Sequence, residues 1–124
     1  MKVRQSRRVL WVSRHSMTED QRQDLERIMG GPVELDTWSD TVQDVEELRP
    51  RLREADAVAA VLPTEKLADL LKIAGKRPVL QAESARVPTG RWTIQPGGAV
   101  EREFAFIHQG WKQILEVRIR TRAL

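Results

Sequence analysis

Positions 13 to 18 read Ser-Arg-His-Ser-Met-Thr, which sets hydroxyls, a guanidinium and an imidazole directly ahead of a helical pattern. Such a set suits an anion. Free amides at a helix start attract negative charge, and Arg14 with the hydroxyls of Ser13 and Ser16 completes a phosphate cradle. His15 adds a group that can give or take a proton near neutral pH. The competing reading is structural: Ser16 and Thr18 cap the helix, and Arg14 and His15 are solvated. The other histidine, His108, ends the Phe104/Phe106 face of an apolar run and reads as a packed or edge residue. Glu46-Glu47 reads as a solvated helix face, and no two carboxylates have a spacing that suggests a metal site.

Composition narrows the chemistry. The 124 residues contain no cysteine, so disulfides, thiol catalysis and thiolate zinc sites are excluded. The segment 13–18 after the apolar run 9–12 has no G-x-G-x-x-G and no G-x-x-x-x-G-K-[ST], which argues against classical dinucleotide binding and a P-loop. That run does not end in aspartate, which disfavours a phospho-acceptor. Hydrophobic residues make up 40% and charged residues 31%, as expected of a globular chain and not of a disordered one. No apolar run approaches the roughly 20 residues of a spanning helix. The stretch 9–12 is too short for a signal peptide, so a cytoplasmic location is expected. Lys and Arg number 21 against 18 Asp and Glu, a net charge of +3. The basic residues crowd both ends (Lys2, Arg4, Arg7, Arg8; Lys112, Arg118, Arg120, Arg122).

The elements that must position these groups follow from pattern. RVLWVS at 8–13 is a buried strand. Thr18-Glu19-Asp20-Gln21 is a capping box opening a helix with Leu25, Ile28 and Met29 on one face, ended by Gly30-Gly31. VELDTW at 33–38 alternates as a half-buried strand near an edge. Val45, Leu48, Leu52 and Ala55 share a helical face, which Pro50 must kink or restart. AVAAVL at 57–62 is a central parallel strand covered on both faces. Leu67, Leu70, Leu71 and Ile73 make a third helix closed by Gly75, and a fourth strand spans 78–82. Residues 86–99, rich in Pro and Gly, read as loop with at most one short strand around 92–94. The segments 104–108 and 114–121 then read as two strands joined around Gln109-Gly110-Trp111.

The order β-α-β-α-β-α-β followed by a β-rich tail predicts an α/β protein: a small Rossmann-like domain over 1–124. Its core spans 8–84, a mainly parallel sheet with helices on both faces, and an antiparallel extension spans 85–124. Strands 9–12 and 57–61 should be adjacent and central. Ligands of such sheets bind beyond the carboxyl ends of the strands. The loops there are the one at 13–18, Ser39-Asp40-Thr41, Pro63-Thr64-Glu65-Lys66, and Glu83-Ser84-Ala85-Arg86. Trp38, at the end of strand two, has a ring that could stack on a base. Trp11 reads as core. Trp92 and Trp111 read as interface residues.

The segment 9–29, VLWVSRHSMTEDQRQDLERIM, is an apolar strand, then Ser-Arg-His, then a Thr-x-x-Gln helix start. It resembles the small stand-alone Rossmann-like proteins of type III CRISPR antiviral defence, the CARF sensors and ring nucleases. The resemblance implies a homodimer that binds a cyclic oligoadenylate across its two-fold axis, without cofactor or metal. Where such proteins cleave, a ribose 2′-hydroxyl attacks the adjacent phosphate. On this chain it implies Ser13, Arg14 and Ser16 holding phosphate, with Arg86 as a second phosphate ligand. It implies His15 assisting proton transfer to the leaving oxygen, with Arg14 beside it. Trp38, Thr64 and Lys66 would contact base or ribose. Two other classes stay open: a nucleic-acid-binding accessory protein with an Arg-rich surface, and a non-catalytic small-molecule or protein interaction module.

Overall fold

The computed structural model describes residues 6–124; Lys2 and Arg4 of the basic N-terminus lie outside the described residues. The chain forms β1 (Arg7–Val12), α1 (Glu19–Met29), β2 (Val33–Trp38), a 3-10 turn (Val45–Leu48) running into α2 (Arg49–Leu52), β3 (Ala57–Ala60), α3 (Thr64–Ala74), β4 (Val79–Ile94) and β5 (Val100–Gln113). One mixed sheet has the order β2-β1-β3-β4-β5. The first four strands pair in parallel and β5 is antiparallel to β4. β1 and β3 are adjacent and central, as their uniformly apolar sequences predict, and β2 is an edge.

Strand alternation divides the core in two. Val9 and Trp11 point to the α1 side, where Leu25, Val33, Ala57, Ala59 and Leu80 are buried. Leu10 and Val12 point to the other side, against Leu48, Leu52, Val58, Leu67 and Leu70. Helical elements therefore cover both faces. The capping box is formed: Thr18 Oγ1 accepts from the Gln21 amide at 3.1 Å, and Gln21 Oε1 accepts from the Thr18 amide at 2.9 Å. Pro50 sits in the first turn of α2, where the 3-10 turn becomes α-helical. Glu47 is more than a solvated acid, because its carboxylate accepts from the amides of Gln43 at 3.0 Å and Asp44 at 3.2 Å.

The C-terminal third departs from the sequence reading. The segment 86–99 is not a loop: β4 runs unbroken to Ile94, and only 95–99 turns. The breakers are placed where strands tolerate them. β3 accompanies β4 only at Val79 and Leu80, so Pro88 lies on an open edge where no amide is needed. Gly90, with φ of +86°, sits in a bulge between Pro88 and Trp92. The segment 104–108 is part of one longer strand, and Gln109-Gly110-Trp111 is a bulged stretch within it rather than a turn. Residues 114–121 form no strand; Ile114 and Val117 instead pack on the core. Among the described residues no helix is long and apolar enough to cross a membrane.

Candidate functional site

The carboxyl end of β1 opens onto a group of polar side chains that includes Ser13, Arg14, His15 and Ser16. Ser13 is buried, and its amide donates to the Trp38 carbonyl at 3.1 Å, carrying the β1–β2 ladder one residue beyond the strand. Its Oγ accepts from the His15 amide at 3.1 Å. Trp11, buried in the core, donates Nε1–H to the His15 carbonyl at 2.9 Å. The peptide groups of His15 are thus held at both ends, and the Arg14 and His15 side chains are left exposed. Short side-chain-to-backbone bonds of this kind set a loop's shape more firmly than its solvent-facing residues do.

Two depressions flank this loop. The larger, about 290 Å³, lies between Ser13, Arg14 and His15 on one side and Asp40, Thr41, Leu62, Pro63 and Lys66 on the other. The smaller, about 230 Å³, shares Ser13, Arg14 and His15 and adds Ser16, Met17, Thr37 and Ser39. Arg14 reaches across the larger cleft and donates from Nη2 to Thr41 Oγ1. Lys66 donates from Nζ to the carbonyls of Val42 and, at 3.3 Å, Gln43. Pro63 stands at the N-cap of α3 without a side-chain hydrogen bond to the first-turn amides. Pro63 also lines the cleft, so the positive end of that helix lies at the same opening as the two cations. Asp40 is the one carboxylate among the lining residues.

The fold brings Ser13, Arg14, His15 and Lys66 to one cleft and puts Ser16 in its neighbour. It sets the other sequence candidates elsewhere. Thr64 is exposed in the first turn of α3 and lines neither depression. Trp38 packs against the core, with the Arg51 guanidinium 4.9 Å from its ring centroid. Arg86 projects from β4 and lies 3.8 Å over the Phe104 ring, outside the lining of either depression. Thr41, which reaches Arg14, is marked in the sequence only as part of the Ser39-Asp40-Thr41 loop. The available signal was its place in the loop after β2, at the same sheet end as Arg14. No group of three or more His, Asp or Glu side chains stands close enough to hold a metal ion among the described residues.

His108 belongs to a different cluster. Its Nε2 lies 2.8 Å from Asp24 Oδ2 on α1, and its side chain is only 9% exposed, in keeping with a packed histidine. Hydrogen bonding from His108, and next from Arg27, holds the Asp24 carboxyl below the ordinary carboxylate value. Trp111 beside it donates to the Gln21 carbonyl at 3.0 Å and meets Trp11 edge-on at 6.1 Å. These contacts fasten the base of the β4–β5 hairpin to α1.

Comparison of the chain with family models, with curated proteins and with solved structures finds no match in any of the three.

Proposed function

We propose that this protein is a Rossmann-like, homodimeric binder of a cyclic oligonucleotide, with cyclic oligoadenylate as the ligand and metal-independent cleavage as the associated reaction. One observation carries the reading. Arg14 from the loop after β1 and Lys66 from the first turn of α3 line one cleft at the carboxyl end of adjacent parallel strands, with the exposed imidazole of His15 between the cleft and its neighbour. Parallel sheets bind ligands at this end, and two cations with helix amides suit a phosphodiester. The carbonyl contacts of Lys66 and the Thr41 contact of Arg14 set where the two cations stand. A phosphate entering the cleft takes hydrogen bonds that these neutral acceptors now hold.

Cleavage follows the chemistry of the ligand. The ribose 2′-oxygen forms a bond to the neighbouring phosphorus, and the bond from phosphorus to the 5′-oxygen breaks. The 2′-hydroxyl proton passes to water, and protonated His15 supplies a proton to the departing 5′-oxygen. Arg14 neutralises the pentacovalent phosphorane. Incubation with cyclic oligoadenylates of several ring sizes, with calorimetry for binding and chromatography for products, tests the reading. Binding of one ring size, with linear product bearing a 2′,3′-cyclic phosphate, is expected. Absence of binding to every ring overturns it.

A further inference from the structure

β4 and β5 continue far beyond the sheet that starts them. β3 leaves β4 after Leu80, yet β4 and β5 pair on to Ile94 and Val100. The result is a two-stranded arm, which leaves the sheet at the same end as the cleft. An isolated hairpin is marginally stable in water and needs a surface to lie on or a strand to join.

The composition of the arm indicates what that is. Residues opposite one another share a face, so Ile94–Val100, Trp92–Arg102, Pro88–Phe104 and Arg86–Phe106 form one ladder, on the side from which His108 meets α1. On this face Trp92 is 62% exposed, Ile94 78%, Val100 57% and Phe106 73%. An apolar run of this kind on an otherwise polar surface marks a protein interface. The charges of the arm nearly balance: Arg86, Arg91 and Arg102 against Glu101 and Glu103. A polyanion is therefore a poor occupant.

The two edges also differ. The β4 edge is blunted by Pro88 and by the bulge around Gly90, as exposed edges generally are. The β5 edge from Val100 to His108 has no proline, no lysine and no bulge. It is the last strand of the sheet and has no strand beyond it among the described residues.

We infer that this edge is the dimer interface, and that β5 of a second copy pairs with it antiparallel about a two-fold axis at Phe104. Charge and the bulge at Gln109 select the register, since an axis at 105 or beyond pairs Gln109 with a residue of the partner strand. A two-fold perpendicular to the sheet keeps the faces continuous only if each residue meets one of the same parity. An axis at 101, 102 or 103 sets Glu101, Arg102 or Glu103 against itself. An axis at Phe104 pairs the whole of 100–108 and sets Phe104 against Phe104. Arg102 then meets Phe106, Glu103 meets Ala105, and Glu101 meets Ile107, with no like charges opposed. The two five-stranded sheets become one. The inference stands on the arm alone and not on the identity of the ligand.

The absence of native cysteine makes a clean test. Under oxidation Phe104→Cys is expected to give a disulfide dimer, because its Cα atoms would lie about 4.5–5.5 Å apart across the ladder. Phe106→Cys is expected to stay uncrosslinked, since its copies would be about 14 Å apart at ~3.4 Å per residue. Phe106 is exposed, so charged replacements spare the monomer fold. Phe106→Lys opposes Arg102 twice per dimer and is expected to raise the dimer dissociation constant roughly tenfold or more. Phe106→Glu faces Arg102 with the opposite charge and is expected to keep the dimer. Light scattering of the parent should give twice 14.2 kDa. A parent that stays at 14.2 kDa at micromolar concentration overturns the inference, including one that binds a single-stranded oligonucleotide through the arm. Crosslinking at 106 in place of 104 overturns the register. A dimer whose cleft binds no cyclic oligoadenylate overturns only the ligand assignment.

Discussion

His108 Nε2 on β5 and Asp24 Oδ2 on α1 stand 2.8 Å apart, at the point where the projecting hairpin leaves the body of the molecule. The pair joins residues 84 positions apart in the chain. Its effect on stability has a definite sign. The Asp24 carboxyl titrates below its ordinary value of 3.8 in the folded protein. The unfolded chain therefore binds a proton there first as pH falls. The stabilisation is complete above the unfolded value and is lost as pH drops through the folded one. Asp24→Asn should lower the midpoint of urea unfolding at pH 7, and the gap to the parent should close below about pH 3.8. A constant gap across that range would show that the substitution acts through packing alone.

A second expectation concerns the loop after β1. Ser13 is buried and its Oγ accepts the His15 amide. Ser13→Ala leaves that amide without its partner, at a cost of about 1–3 kcal/mol for an unsatisfied buried group and less where water reaches it. Thr18→Ala removes the α1 cap and should cost about 1 kcal/mol. The two should separate in ligand titrations. Ser13→Ala disturbs the His15 backbone and weakens binding, whereas Thr18→Ala lowers thermal stability and leaves affinity unchanged.

The parallel part of the fold is legible in the sequence because each of its elements carries a local signal. Val9 to Val12 and Ala57 to Ala60 are buried throughout and read as apolar runs, and the Thr18/Gln21 box is read from spacing. The arm is illegible for a physical reason. Pro88 and Gly90 signal a loop by composition, yet an open edge and a bulge accept both, and only the position of β3 shows that the edge is open. The alternation at 114–121 has the reverse fault: a strand requires a neighbour, and none accompanies that segment. In the cleft, Arg14, His15 and Lys66 follow from their places after strands. The Arg14–Thr41 contact depends on the reach of one side chain between two loops, which no local pattern encodes.

That contact gives a third expectation. Thr41 holds the Arg14 guanidinium across the cleft through Oγ1, as a positioning residue. Thr41→Val removes the acceptor and keeps the volume. If the hydroxyl only orients the guanidinium, affinity should fall a few-fold, far less than on loss of Arg14. Thr41→Ser should restore it. A Thr41→Val variant as weak as Arg14→Ala would instead place the hydroxyl on the ligand.

The sharpest expectation contrasts the neighbours Arg14 and His15. Both side chains are exposed at the same opening, so neither substitution removes core packing. Arg14→Ala should weaken cyclic oligoadenylate binding by about 1.5–3 kcal/mol, as for a charge-assisted hydrogen bond. That is roughly ten- to hundredfold in affinity. His15→Ala should leave affinity close to the parent while single-turnover cleavage slows about 10²- to 10⁴-fold, the range for general acid–base catalysis. His15→Gln keeps a hydrogen-bonding side chain of similar size but cannot deliver a proton, so it should be as slow as the alanine variant. The backbone contacts from Trp11 and Ser13 to residue 15 persist in all these variants, so a collapsed loop does not account for the split. Titration and single-turnover assays on the same preparations measure both quantities. If Arg14→Ala and His15→Ala match the parent in affinity and rate, the loop only caps α1, and this cleft is not where the ligand is processed.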